Sequence, residues 1–403
     1  MKTKKIAYFI VILSLLLGAN FSYGASEDTR YFVKSASGLW RKSLGARHVF
    51  GNGFTADLSA WQLKVAGMFG LEVEQVRKLY ILPEAEAATL TQTSAKGRPV
   101  SRQVPSAQVQ WGIKMIYNDS TLEKSSGGLD VNVAILDTGV LKTHPDLKNR
   151  IKDCKDFTSL KQPIVNGQCE DKNGHGTHVA GVIAADGGDD ARGIYGVAPE
   201  ANVWAYKVCG TNGSCWSDDI ASALMTAADR GANVVNLSLG SDASNQLIAD
   251  AVSYATAAGV LVVAAAGNDG PYVGSIDYPG AYSSVVAVAA VDAAKDVPGW
   301  SSRGLNSSSE PYVVEEGDVE FAAPGVSIES TWKDGGYAVS SGTSMATPHV
   351  AGLAAKLWQV EALDQAGATR GLLQDFAHDL GLLSEEGLPV DDDASGFGLP
   401  QLR

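Results

Sequence analysis

Three short stretches, far apart in the chain, hold side chains that could act together on one substrate. They are Asp137-Thr138-Gly139, His175-Gly176-Thr177-His178-Val179-Ala180-Gly181 and Gly342-Thr343-Ser344-Met345-Ala346-Thr347-Pro348. They present a carboxylate, an imidazole and a hydroxyl, each beside glycine or another small residue. A serine hydroxyl is a weak nucleophile until an imidazole takes its proton, and a buried carboxylate keeps that imidazole correctly oriented. The chemistry implied is attack on a carbonyl carbon, and so peptide-bond hydrolysis. Taken singly, each residue has an ordinary structural explanation. An Asp after a strand forms turns, a Ser before a helix caps it, and His175 or His178 could be hydrogen-bonded inside a core.

The elements that must position these side chains can be read from the apolar pattern. Val131 to Leu136 is a largely apolar run that ends on Asp137, and Val203 to Val208, Val234 to Leu239, Val260 to Ala265 and Val285 to Val291 resemble it. Runs of this kind predict strands buried on both faces, hence a parallel sheet. Helical stretches alternate with them at His175 to Ala185, Asp218 to Arg230, Asn245 to Ala258 and Ser344 to Trp358. The fold class that follows is α/β, a doubly wound, mostly parallel sheet with helices on both faces. Ligands bind such sheets beyond the C-terminal ends of strands, and Asp137 and Asn268 stand there.

The part before this domain reads differently. Lys2, Lys4 and Lys5 precede a short apolar run, Ile6 to Leu17, then Ser22-Tyr23-Gly24-Ala25. This predicts a secretory signal over residues 1–24, with an uncleaved anchor as the alternative. The expected location is secreted, periplasmic or extracellular, with no membrane contact once the signal is cut. Phe54 to Leu82 reads as helix-rich, with Asp57 or Ser59 as the cap and Trp61, Val65, Met68 and Leu71 at helical spacing. Ala85 to Ser101 lacks apolar periodicity and reads as an exposed linker, where chains are readily cut.

Composition bounds the rest. The 403 residues are 45% hydrophobic and 19% charged, ordinary for one large core beside a smaller unit. A net charge of −13 argues against a nucleic-acid partner. It suits acidic cation-binding loops or simple solubility. Cys154, Cys169, Cys209 and Cys215 contain no CxxC pair, so zinc is disfavoured. In an oxidising compartment they predict two disulfides, most simply Cys154–Cys169 and Cys209–Cys215, although spacing alone permits three pairings.

Residues from about 104 to 403 resemble the subtilisin-like serine proteases, the subtilases, through the three motif blocks and through Ala265-Ala266-Gly267-Asn268-Asp269-Gly270. The resemblance implies that Asp137 orients the imidazole, that His175 is the general base and acid, and that Ser344 is the nucleophile. His178 is then a packing residue, and Asn268 donates to the oxyanion. It further implies that polypeptide substrates pair as a strand between Gly213-Ser214-Cys215 and Ser238-Leu239-Gly240. Asp277, just before Tyr278-Pro279-Gly280, falls at the floor of the pocket for the residue preceding the cut, with Asp269 near its mouth. A carboxylate there favours Lys or Arg, against the alternative of a broad apolar preference.

The same resemblance makes residues 25–102 a small α+β pro-segment and linker that acts as an intramolecular inhibitor. Residues 103–403 are then the catalytic domain, closed by Ser395-Gly396-Phe397-Gly398-Leu399. Lys96 and Arg102 are candidate self-cleavage residues, since Pro99 blocks a cut after Arg98. Structural calcium is expected at Asp146 together with Asp186, Asp189 and Asp190, a set of hard oxygen ligands. No organic cofactor is expected, and a monomer is. The competing class is a non-catalytic binding protein that keeps the fold.

Overall fold

Residues 29–82, 102–306, 313–378, 380 and 393–403 are described by the computed structural model. The signal segment and the whole linker from 85 to 101, with Lys96 and Arg98, lie outside these residues. The N-terminal unit begins with β1 (Arg30–Val33), followed by α1 (Gly38–Leu44), β2 (Val49–Phe50), β3 (Gly53–Asp57), α2 (Ala60–Met68), β4 (Val73–Gln75) and β5 (Lys78–Ile81). Strands β1 to β4 pair antiparallel in the order β2-β3-β1-β4. They close over a small core of Val33, Leu44, Phe54, Ala56 and Leu58.

The helix-rich expectation for Phe54 to Leu82 therefore needs correction, because only Ala60–Met68 is helical. Ser59 does start that helix, through a reciprocal pair of bonds with Gln62. The apparent periodicity misled because Trp61 and Met68 face solvent, and the chain beyond Gly70 turns back to form β4 and β5.

The main domain is ordered as α3 (Trp111–Ile116), β6 (Asn132–Asp137), β7 (Ile151–Asp156), β8 (Val165–Asn166), α4 (His175–Ala184), β9 (Asn202–Lys207), β10 (Ser214–Trp216), α5 (Ser217–Asp229), β11 (Val234–Leu237), β12 (Leu239–Gly240), α6 (Gln246–Ala257), β13 (Leu261–Ala265), β14 (Val286–Val291), β15 (Phe321–Pro324), β16 (Ile328–Thr331), β17 (Tyr337–Ser340), α7 (Thr343–Lys356), α8 (Gln365–Asp375), β18 (Ala377–His378) and β19 (Leu399–Pro400). Eight strands form one sheet in the order β15-β14-β13-β11-β6-β9-β7-β8. All its pairings are parallel except that of β7 with β8.

Alternation along each buried strand sends side chains to two separate cores. Val133 and Ile135 of β6 join α4 and α7 through Val179, Ile183, Val350 and Leu353. Ala134 and Leu136 join α5 and α6 through Ile220, Leu224, Ile248 and Val252. This is the doubly wound arrangement expected. Among the described residues no helix is long and apolar enough to cross a membrane.

The two units meet through charge as well as through strands. Arg30 of β1, itself 2% exposed, lies 3.0 Å from Asp218 and 3.0 Å from Asp219 at the start of α5. His48 Nε2 reaches Asp219 at 2.9 Å, and Thr55 donates to Asp218 at 2.7 Å. Burial, then the neighbouring Asp219, pushes the Asp218 carboxyl upward, so these carboxylates need their cationic partners. Breaking one side of a buried ion pair costs about 3–5 kcal/mol. Arg30→Met in the full-length chain should speed amide hydrogen exchange across β1, β3 and β5 by at least about a hundredfold. Unchanged exchange there would show that the ionic contact does not hold the unit in place.

Candidate active site

The site starts from a carboxylate buried at the end of a strand. Asp137 closes β6 with no solvent exposure, a costly position unless its oxygens are bonded. Thr138 N–H donates to Oδ1 at 2.6 Å, and both oxygens lie 2.9 Å from His175 Nδ1. That contact fixes the ring and leaves Nε2 as its outer nitrogen.

His175 is the first residue of α4, and its approach to β6 depends on the next residue lacking a side chain. A methyl group at Gly176 would fall 2.1 Å from the Gly139 carbonyl and 3.0 Å from Asp137 Oδ1. The start of α4 is held by Asp171, a residue to which sequence reasoning gave no role. Its Oδ1 accepts from Thr138 Oγ1, Asn173 N–H and Gly174 N–H, and its Oδ2 accepts from the N–H and hydroxyl of Thr177. Thr138 Oγ1 in turn accepts from Gly176 N–H at 3.0 Å. A carboxylate four residues before a helix that opens on histidine was the available signal. His178, one turn further on, is fully buried, bonds the Ile328 carbonyl at 2.9 Å and is pushed down to about 3 by burial. It packs as a neutral ring.

Ser344 is the second residue of α7, and its hydroxyl donates to the Ser238 carbonyl at 3.2 Å. Four residues on stands Pro348, inside the helix. Proline has no N–H to return to the carbonyl four positions back, so the Ser344 carbonyl takes another donor. The Ser238 hydroxyl supplies it at 2.9 Å and accepts in turn from Asn236 Nδ2 at 2.9 Å. The turn that carries Ser344 is thus tied to the segment that runs from β11 toward β12. Asn268, beyond β13, accepts through Oδ1 from the N–H and the hydroxyl of Thr343, both at 3.0 Å. A methyl group at Gly342 would lie 3.2 Å from Asn268 Nδ2, which puts the amide nitrogen beside the start of α7. Gly342 has φ of 157°.

The two segments expected to bind substrate do flank an extended strand, and that strand belongs to the same chain. β5 lies antiparallel between β10 and β12. Tyr80 stands opposite Ser214 and Gly240, Leu79 opposite Cys215 and Ile81 opposite Leu239. Ile81 N–H donates to the Gly213 carbonyl at 2.9 Å. A methyl group at Gly213 would meet the Ile81 side chain at 2.5 Å. The sulfurs of Cys209 and Cys215 are bonded, as are those of Cys154 and Cys169. The first bridge closes the loop that presents β10.

Asp277 is 2% exposed and sits against the cleft backbone. A methyl group at Gly240 would lie 2.6 Å from its Oδ2, and one at Gly267 would lie 3.0 Å away. Burial, then Asp269 and Asp242, pushes the Asp277 carboxyl up to about 7. Asp269 itself moves upward through partial burial and Asp242.

The four proposed calcium ligands do not converge as a set. Asp189 is bound by Lys148 and Asn149, Asp186 pairs with Arg150 at 3.1 Å, and Asp190 accepts from Arg192 N–H. Only Asp146 is buried, accepting from Ile194 N–H at 2.9 Å and the Tyr337 hydroxyl at 2.8 Å. Beside it the Gln108 amide reaches the carbonyls of Ala191 and Gly193. Spacing along the loop suggested carboxylate ligands, but basic residues from elsewhere in the fold claim two of them. Arg102, one of the two candidate cleavage residues, is docked by a 2.8 Å backbone bond to Tyr337 and lies 3.2 Å from Glu329.

Comparison with known proteins agrees with this arrangement. The Subtilase family profile matches residues 128–398. A subtilisin of Bacillus sp. (strain TA39) is 43% identical over 422 aligned positions, covering 100% of this chain and 98% of that protein. The solved structure of the S41 psychrophilic protease superimposes with a TM-score of 0.70 at 49% identity, over 74% of this chain and 99% of its own. Sphericase does so with a TM-score of 0.69 at 47% identity, over 75% and 100%. The chain belongs to the subtilase family and is a serine endopeptidase.

Proposed function

We propose that this endopeptidase is exported as a precursor and cuts polypeptides through an acyl-enzyme on Ser344, preferring Lys or Arg before the scissile bond. The observation that carries the catalytic assignment is the buried Asp137–His175 pair, with Nδ1 2.9 Å from both carboxylate oxygens.

In the first half-reaction the Ser344 hydroxyl turns from the Ser238 carbonyl and gives its proton to His175 Nε2. Its oxygen bonds the substrate carbonyl carbon, and the carbonyl oxygen receives the displaced electron pair. Asn268 Nδ2 and the Ser344 N–H donate to that oxyanion, and the free N-terminal end of α7 adds a favourable dipole. On collapse the C–N bond breaks, and the amine leaves with the proton from His175. Water then attacks the acyl carbon by the same route, loses a proton to His175, and Ser344 recovers its own. Asp137 stays ionised and stabilises the imidazolium at each proton transfer.

Two further readings go with this. β5, lodged between β10 and β12, makes the N-terminal unit an inhibitor that fills the substrate's place. About a quarter of this chain has no counterpart in the S41 protease structure, as removal of such a unit would give. Calcium fits beside the buried Asp146, where the carbonyls of Ala191 and Gly193, which accept from Gln108 Nε2 in this structure, would supply neutral oxygens. Bound there, it would fasten the loop that follows α4.

Peptide mixtures digested by the protein and by Ser344→Ala, with cut sites mapped by mass spectrometry, should show cuts made by the first alone. Cleavage by the Ser344→Ala protein would remove Ser344 from its role. Asn268→Leu should lower kcat about 10²–10³-fold and leave KM nearly unchanged; the size of that effect is the one characteristic of this family. A group titrating near 7 is about one tenth ionised at pH 6 and nine tenths at pH 8. The kcat/KM ratio of lysine to leucine peptides should therefore climb over that interval, and Asp277→Asn should flatten the climb. A ratio independent of pH, and of this substitution, would remove Asp277 from the pocket.

A further inference from the structure

Asp277 is one of three carboxylates that converge. Asp242, after β12, and Asp269, after β13, bring oxygens to it so that all three lie within 4.8 Å of one another. Oxygens that share one calcium at about 2.3–2.6 Å stand no more than roughly 5 Å apart, so a single ion can bridge this set. In the loop after α4, Asp186 and Asp189 are neutralised by Arg150 and Lys148. Among the described residues, no lysine, arginine or histidine pairs with any of these three.

A second observation points to a missing partner. Asp277 is 2% exposed, and its Oδ1 is buried with no hydrogen bond. Leaving such an oxygen unpaired beside two like charges is unfavourable. Gly240 and Gly267 close against Oδ2, so no side chain of theirs can supply the positive charge. Asp242 and Asp269 are exposed, which opens a path from solvent. The ligands are carboxylates alone, with no sulfur or imidazole, which selects a hard cation over zinc or copper.

We propose that Asp242, Asp269 and Asp277 bind a divalent cation of the calcium type, distinct from any ion at Asp146, and that this cation excludes a substrate's Lys or Arg side chain. The exclusion rests on the reading of Asp277 as the pocket floor; the binding does not. With two ligands exposed, the affinity belongs with the weak extracellular sites, Kd about 10⁻⁴–10⁻³ M.

Equilibrium dialysis with calcium tests the binding, using the full-length Ser344→Ala chain with and without the added pair Asp242→Asn and Asp269→Asn. The added pair should remove one bound calcium of that affinity while the circular dichroism stays the same. An equal count in both proteins would overturn the site. Kinetics on the active enzyme test the exclusion, with lysine and leucine peptides compared between about 0.1 and 10 mM calcium, a range that brackets such a Kd. For a site of about 1 mM, KM for the lysine peptide should rise roughly tenfold, by simple competition, and the leucine peptide should not follow. A lysine KM indifferent to calcium, with the dialysis difference intact, would refute the exclusion and keep the ion. Lysine and leucine peptides cleaved alike at every calcium level, before and after Asp277→Asn, would refute the basic pocket and leave the dialysis count standing.

Discussion

The structure turns on the burial of one carboxylate. Asp137 has no contact with water, so its oxygens must be satisfied by groups delivered to the end of β6. This requirement brings the start of α4 against the C-terminal end of the central strand β6, demands glycine at position 176, and recruits Asp171 to hold the helix start. Lys207 adds a cation to the same corner by donating to the Thr138 carbonyl. The outcome is an imidazole whose inner nitrogen is committed and whose plane is set before any substrate arrives. Preorganisation of this kind costs nothing at the moment of reaction.

A comparable economy holds the hydroxyl. Pro348 looks like a flaw in α7, since it removes a helical hydrogen bond. The carbonyl it releases belongs to Ser344, and Ser238 binds it from the neighbouring strand. The helix end that carries the Ser344 hydroxyl is thereby fastened to the segment between β11 and β12, and in the proposed mechanism a helix defect becomes a link between nucleophile and substrate-binding edge. Asn268, anchored through Thr343, ties a third strand end to the same turn.

Much of this could be read from residues alone, for identifiable reasons. Strands β6, β9, β11, β13 and β14 are near-continuous apolar runs, and burial on both faces leaves that mark. The motif strings around Asp137, His175 and Ser344 are long because several neighbours are sterically constrained, as Gly176 shows. Strand β7, Ile-Lys-Asp-Cys-Lys-Asp, carries too many charges to signal a strand, and lies one place from the sheet edge, where those charges find partners. The contact of Arg30 with Asp218 spans 188 positions, beyond any local pattern. The acidic loop after α4 was misjudged for a related reason: nothing near Asp189 in sequence announces Lys148. Asp171 was overlooked because its work, four hydrogen bonds to the start of α4 and one to Thr138 after β6, depends on a helix boundary that spacing locates only approximately.

The placement of β5 bears on how such an enzyme coexists with its own kind. Without that strand, β10 and β12 present two facing rows of unpaired backbone groups, the feature that most proteins blunt because it invites self-association. If substrates pair there as proposed, the groove cannot be blunted without losing recognition of extended chains. Under the proposed mechanism, an extended segment of any neighbouring molecule that enters it is delivered to Ser344. On the same proposal, the hazard that leads other sheet proteins to aggregate leads here to mutual digestion. A population of these molecules limits itself by how rarely native copies expose a loose, extended stretch, so a well-packed surface serves as protection from siblings as much as from heat.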